Sequence, residues 1–210
     1  MPKETFFNLP EEKKERVIEA AMEEFAQRSY YKARITAIAD NAGIARGSFY
    51  QYFSGKKDLF KYIIELAVNK KLTYINQDMM AKNEEYSFFQ LLHESFRSGV
   101  RFAKENPLLA AIGNKLINNK ELQREIWGEH KDTSSDFFKK LLELGLEKGE
   151  VDPEQDIELI ARLLTALFYS LSDIIYKDGK LDPHKFDKEM ETIEKMIYFI
   201  ENGIRKKEDN

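Results

Sequence analysis

The sequence predicts an all-α fold of about nine helices, and three features carry that expectation. Leu, Glu, Lys and Ile dominate the 210 residues, whereas Val occurs four times and Thr six, which favours helices over strands. No stretch alternates apolar and polar residues for long, so no strand pattern competes. Helix starts and stops are marked by capping side chains, first-turn prolines and glycines.

In order along the chain, the first helix is expected over 9–28. It opens at Asn8-Leu-Pro-Glu11, an N-cap with a reciprocal acid three residues on, and carries Ile18, Ala21, Met22 and Phe25 on one face. Two short helices follow over 35–42 and 46–52, with Gly43 closing the first. A long helix is expected over 56–82. Ser87-Phe-Phe-Gln90 repeats the capping spacing and opens 87–105. Asn106-Pro107 opens 107–117, and a helix over 120–148 runs to Gly149. Asp152-Pro153 opens 153–178, which Gly179 closes, and Asp182-Pro183 opens 183–205. Helices before residue 56 are short and locally basic, and those after it are long and amphipathic. This suggests an N-terminal three-helix domain over 1–55 and a larger C-terminal helical domain over 56–210.

Composition excludes several classes. With 33% charged and 42% hydrophobic residues the chain reads as globular rather than disordered. It has no cysteine, which removes disulfide scaffolds, iron–sulfur ligation and thiol nucleophiles. The longest charge-free stretch, Leu163 to Ser172, is about half of the roughly 20 residues a membrane-spanning helix needs. No secretory apolar region follows the N-terminus, so a soluble cytoplasmic protein is expected. His93, His130 and His184 are isolated, and no nucleophile-elbow, P-loop or dinucleotide glycine motif occurs. No metal, cofactor or catalytic activity is therefore expected. The net charge of −4 hides an asymmetry: residues 28–57 hold Arg28, Lys32, Arg34, Arg46, Lys56 and Lys57 against Asp40 alone. A basic patch on an acidic body is an electrostatic footprint for a polyanion.

The stretch RITAIADNAGIARGSFYQYFSGKKDLF, residues 34–60, has the pattern of a helix–turn–helix. Ala39 is small enough to let a second helix pack closely, and Gly43 can take the positive φ of a tight turn. Ile35, Ile38 and Ile44 would form a small core with Phe49 and Phe53, which lie four apart and share a face. The other face of helix 46–52 would present Arg46, Ser48, Tyr50, Gln51 and Tyr52, types that reach phosphates and base edges. Lys56 adds a cation at the next helix start.

Ile38-Ala39 through Gly43-Ile44, then Arg46 to Phe53, then Lys56 to Phe60, together with the first helix, resemble the N-terminal domain of TetR-family transcriptional regulators. The resemblance spans about residues 9–60; beyond them only the length and the helical pattern are similar. It implies that helix 46–52 is the recognition helix, with Arg46, Gly47 and Ser48 meeting DNA and Tyr50, Gln51 and Tyr52 contacting backbone or bases. It further implies a phosphate contact for Lys56 and a backbone contact for Thr36. Two positions depart from the family, which often has Ser or Thr where this chain has Arg34 and Ala45. Arg34 could still reach phosphate, but Ala45 cannot cap a helix through its side chain.

In the C-terminal part, helix 153–178 carries Ile160, Leu164, Leu167, Leu171 and Ile174, and helix 183–205 carries Phe186, Met190, Ile193, Ile197, Ile200 and Ile204. Both rows step by threes and fours, as packed helices do. Leu159, Leu163, Met196 and Phe199 lie off these seams, so each helix can face two neighbours. The resemblance implies a four-helix-bundle homodimer through residues such as Leu164, Leu171, Ile193, Ile197 and Ile200, matching the two-fold symmetry of a palindromic operator. Packing both faces within one chain is the alternative. The resemblance also implies a small-molecule pocket among the aromatic-rich helices. Phe89, Phe96, Trp127, Phe138, Phe168 and Tyr169, with the embedded polar Asn114 and Asp173, are the candidate lining for an apolar or aromatic effector, although such aromatics also suit plain core. The function expected is a ligand-responsive DNA-binding repressor. An activator of the same architecture, or a helical carrier of hydrophobic ligands that leaves DNA alone, are the rivals.

Overall fold

The computed structural model describes residues 1–79, 86–128, 133–177, 180–181 and 186–205; for 75–79, 133–134, 169, 171–177, 180–181 and 186–189 it describes the backbone alone. Among the described residues there are eleven helices: α1 (Glu4–Phe7), α2 (Glu11–Gln27), α3 (Ile35–Asn41), α4 (Arg46–Tyr52), α5 (Lys56–Met79), α6 (Phe88–Glu105), α7 (Pro107–Ile117), α8 (Lys120–Trp127), α9 (Thr133–Glu147), α10 (Ile157–Ile175) and α11 (Phe186–Ile204). A short antiparallel pair, β1 (Tyr176–Lys177) and β2 (Lys180–Leu181), follows α10. The fold class is all-α.

Several helix boundaries differ from the sequence expectation. Asn8 does not open the first helix: it ends α1, and α2 starts at Glu11 directly after Pro10. The expected helix 120–148 is two helices, because Gly128 takes φ 85° after Trp127 and stops α8. Pro153 lies in a turn, and α10 starts four residues later, with the Asp156 carboxylate accepting the Leu159 N–H at 3.0 Å. The capping box at α6 forms in both directions: Gln90 Oε1 accepts the Ser87 N–H at 2.8 Å and Ser87 Oγ accepts the Gln90 N–H at 3.1 Å. Asn106 precedes Pro107 as expected but makes no side-chain cap. Gly149 takes φ 68° after α9, as a helix stop does. Gly179 and Asp182-Pro183 lie outside the described residues.

By packing, the chain forms two units, Met1–Lys70 with Asn106–Glu129, and Lys71–Glu105 with His130–Asn210. In the first, α2 packs on α3 and α7, α1 on α4, α3 on α4, and α7 on α8. Its core holds Val17, Ala21, Phe25, Ile38, Phe49, Phe53, Leu59 and Ile63, with Ile112 and Leu116 from α7. In the second, α9 packs on α10 and α6, and α11 packs on α6 and α10, around Phe88, Leu91, Leu92, Phe96, Phe138, Leu142 and Ile193. Segment 106–129 thus packs with the N-terminal helices, whereas the sequence expectation of a boundary near residue 56 puts it with the C-terminal helices.

Candidate nucleic-acid interface

The turn between α3 and α4 is built as the residues dictate. Ala39 is fully buried, and Gly43 takes φ 66°, the left-handed region that suits glycine. The turn closes through Gly43 N–H to the Asp40 carbonyl at 3.1 Å and Ile44 N–H to the Ala39 carbonyl at 3.0 Å. Ile38, Ile44, Phe49 and Phe53 are buried, and Ile35 is half-buried. The rings of Phe49 and Phe53 lie 5.5 Å apart, and Phe6 of α1 sits 4.8 Å from Phe53. α4 is thereby anchored on one face by aromatic packing.

On its other face Arg46, Gly47, Tyr50 and Gln51 are exposed, and Ser48 is half-buried. Arg34 and Thr36, around the start of α3, are exposed too. Tyr52 departs from expectation. It is buried, 6.3 Å from the Phe6 ring, with the Lys13 ammonium 5.8 Å from its centre. The reason is helical spacing: Tyr52 lies three residues after Phe49 and so shares its buried face. Neither Arg34 nor Ala45 provides a side-chain cap, consistent with the missing hydroxyls.

Three supports of this surface were not read from the sequence. The N-terminal arm ties down the end of α4, where the last carbonyls of a helix need donors. Lys3 N–H donates to the Tyr52 carbonyl at 2.8 Å, Lys3 Nζ donates to the Tyr50 carbonyl at 2.8 Å, and Thr5 Oγ1 donates to the Gln51 carbonyl. Glu24, buried in α2, accepts the Arg34 N–H at 2.9 Å and pairs with Arg28 at 3.3 Å, fixing where α3 begins. Lys115 of α7 donates to the carbonyls of Phe25, Ala26 and Arg28, capping the end of α2. Partial burial pushes its pKa down.

Lys56 also has partners within the chain. Its ammonium donates to the carbonyls of Tyr31 at 3.2 Å and Ala33 at 3.1 Å, and lies 4.8 Å from the centre of the Tyr30 ring. Burial pushes its pKa down, against the pull of Glu125 and Glu24. Tyr30 in turn donates to Glu125 Oε1 at 3.3 Å; burial first, then the Glu125 charge, pushes its hydroxyl up to about 12. The phosphate contact that the resemblance implies for Lys56 thus competes with two carbonyls that already hold its ammonium. Arg28 is engaged by Glu24, so the cations of 28–57 that are exposed and free of intrachain partners among the described residues are Lys32, Arg34, Arg46 and Lys57.

The other expected residues are distributed as follows. Phe96, Phe138 and Phe168 cluster in the second unit, with ring centres 5.5 to 6.1 Å apart. Phe89 stacks edge-on with Phe88 at 4.9 Å and carries the Arg205 guanidinium 4.3 Å over its ring. Asn114 and Trp127 belong to the first packing unit, both half-buried, and Asn114 Oδ1 accepts from Asn118 Nδ2 at 2.9 Å. The side chains of Tyr169 and Asp173 lie outside the described residues, as do His130 and His184. Of the expected dimer residues, Leu164, Ile193, Ile197 and Ile200 are buried within the protomer, and the Leu171 side chain is outside the described residues. Among the described residues, Ile160, Leu164, Ile193, Ile197, Ile200 and Ile204 of the regular seams thus face the chain's own core, with Leu167 and Met190 half-buried. Of the off-seam residues, Leu159 and Leu163 on α10 and Phe199 on α11 are exposed and Met196 is half-buried; Tyr198, beside Phe199, is exposed as well, at 70% against 77%. Among the described residues no His, Asp and Glu side chains group as metal ligands, and no helix is long and apolar enough to cross a membrane.

Residues 17–63 match the family described as bacterial regulatory proteins, tetR family. The crystal structure of a TetR family transcriptional regulator from Chloroflexus aurantiacus J-10-FL superposes with a TM-score of 0.76 at 32% identity, over 99% of this chain and 100% of that one. The HTH-type transcriptional regulator UidR of Escherichia coli (strain K12) is 25% identical over 172 residues, 78% of this chain and 82% of that protein. The HTH-type transcriptional regulator YfiR of Bacillus subtilis (strain 168) is 24% identical over 167 residues, 78% of each. The fold and the helix–turn–helix define a DNA-binding regulator of transcription. The chain belongs to the TetR family.

Proposed function

We propose that the protein is a repressor that binds a palindromic operator as a homodimer and releases it when a small apolar or aromatic effector binds the C-terminal domain, 56–210. One observation carries the DNA-binding half of this reading: Arg46, Gly47, Tyr50 and Gln51 are exposed on a helix whose opposite face, Phe49 and Phe53, is fully buried. A rigidly seated helix with donors outward is what major-groove reading requires. Arg46 and Gln51 reach base edges or phosphates, and Arg34 and Thr36 meet the backbone from the start of α3. The relatives are named as regulators of transcription, which favours this reading over a carrier.

The dimer is proposed through Leu159, Leu163, Tyr198 and Phe199, large apolar residues exposed on the last two helices. A two-fold dimer places its recognition helices about 34–36 Å apart, one turn of DNA. The effector must bind the DNA-incompetent conformation more tightly, and operator DNA weakens effector binding by the same factor. α5, unbroken from Lys56 to Met79, is the helix along which the two functions are joined in sequence.

Selection of sites from random duplex DNA, with refolded and ligand-stripped protein at near-physiological salt, tests the reading. A two-fold symmetric motif is expected. No enrichment, or a motif without symmetry, contradicts it.

A further inference from the structure

Lys71 is half-buried, and the protein packed around its ammonium removes part of its hydration. Its Nζ stands 4.2 Å over the centre of the Phe168 ring. The ring centre lies 5.5 Å from that of Phe96 and 5.9 Å from that of Phe138, both buried, while Phe168 itself is half-buried. The Phe168 ring edge also comes within 3.4 Å of where a Cβ on Gly99 would stand, so the ring packs against α6. Among the described residues Lys71 meets no carboxylate and no hydrogen-bond acceptor; the ring face is its partner. Burial pulls its pKa from the ordinary 10.5 down to about 8, and no charge among the described residues opposes it.

A ring face recovers only part of the hydration that a half-buried ammonium gives up. A chain under selection for stability alone would place a methionine or leucine here. A partly desolvated cation with no counter-ion among the described residues, beside aromatic surface, is instead an environment that an anion completes: the charge-assisted bond supplies an acceptor, and the lowered dielectric strengthens it. Few polar groups set in apolar lining is also how small-molecule sites are made. The other cations with shifted pKa are already satisfied, Lys56 and Lys115 by backbone carbonyls and Lys139 by Glu158 at 3.1 Å.

We propose that Lys71 is the anchor of a carboxylate-binding site, taking the headgroup of a small monocarboxylic acid whose apolar or aromatic body lies along Phe168. The proposal rests on the reading that the C-terminal domain binds a small effector, and it names the effector's chemical class. Arg and Lys differ in geometry but share the charge, so the charge decides binding and the fork modulates it.

The test is calorimetric titration of the full-length, ligand-stripped protein at neutral pH with two pairs of probes, decanoate against decanol and 4-phenylbutyrate against 4-phenylbutanol. At least one acid binds about tenfold or more tightly than its alcohol twin, the size of a hydrogen bond to a charged group. The pair that binds shows whether the body is aliphatic or aromatic. Lys71→Met reduces the acid to the affinity of the alcohol, and Lys71→Arg retains most of the preference. Equal affinities in the wild type, no saturable binding of either acid, or a preference that survives Lys71→Met overturns the proposal. If Lys71→Met does not fold, the wild-type comparison and Lys71→Arg still decide. The same titrations repeated against the selected operator duplex separate the two readings. Acids that bind through Lys71 without loosening DNA leave the anchor standing and remove the effector reading. Release of DNA by acid and alcohol alike removes the anchor and leaves the effector reading.

Discussion

At Lys56 the chain's own carbonyls, from Tyr31 and Ala33, hold an ammonium for which the family resemblance implies a phosphate contact. Lys56→Ala should therefore act chiefly through the fold, freeing the 31–33 segment and lowering the melting temperature, while the salt slope of DNA affinity changes little. Arg46→Ala, at an exposed cation with no intrachain partner among the described residues, should leave stability unchanged and flatten that slope by about one unit. Equilibrium binding across a salt series, beside thermal melts, separates the two residues. Lys71 makes a pH prediction of definite sign. Its folded pKa, about 8, lies below the ordinary 10.5 of the unfolded chain, so between those values the unfolded state holds more protons. Stability at this residue rises with pH across that window. Denaturation of wild type and Lys71→Met at pH values spanning it should show Lys71→Met the more stable near pH 7, with the advantage shrinking toward pH 10.5. A constant or growing advantage would show that the ammonium is not desolvated in the folded state.

Helices differ in how they tolerate a single methyl group. Gly145 lies inside α9, where an added Cβ would stand 2.6 Å from Val151 Cγ2 and 2.8 Å from Phe88 Cγ. Gly203, near the end of α11, has nothing within 4 Å of that position. Gly145→Ala should cost about 1–3 kcal/mol through overpacking, whereas Gly203→Ala should be neutral or stabilise by up to about 1 kcal/mol through helix propensity. Urea denaturation of both variants checks the pair. What was legible at this scale is local. The turn at Gly43, the buried pair Phe49 and Phe53, and the reciprocal Ser87–Gln90 cap each depend on residues within a few positions of one another. Tyr52 could have been read as buried from its spacing to Phe49. The seam of α10 and α11 could not have been assigned, because periodicity shows that Leu164 and Ile197 share a stripe with their neighbours but not whether the chain or a second copy covers it. The stop at Gly128 was hidden because the apolar pattern continues on either side of it.

Across the whole chain, the packing units follow contacts that sequence distance conceals. Lys115 and Glu125, some 90 residues from Arg28 and Tyr30, hold the end of α2 and the segment leading to the helix–turn–helix. Lys115→Met leaves the carbonyls of Phe25, Ala26 and Arg28 without this donor. Amide exchange over 25–34 should speed up, and stability should fall by about 1–3 kcal/mol, the usual cost of unsatisfied partners; unchanged exchange there would show the contact to be incidental. The helix–turn–helix was legible because it is a local motif. The residues that support it were not, because they come from distant parts of the chain. The central claim is that the exposed face of α4 reads DNA. Its most direct test is the affinity of wild type and Tyr50→Ala for the selected operator and for a scrambled duplex of the same length. Tyr50 is 43% exposed, so its removal should leave the melting temperature unchanged while weakening operator binding about tenfold and scrambled-duplex binding little. Operator affinity unchanged in Tyr50→Ala would contradict the account.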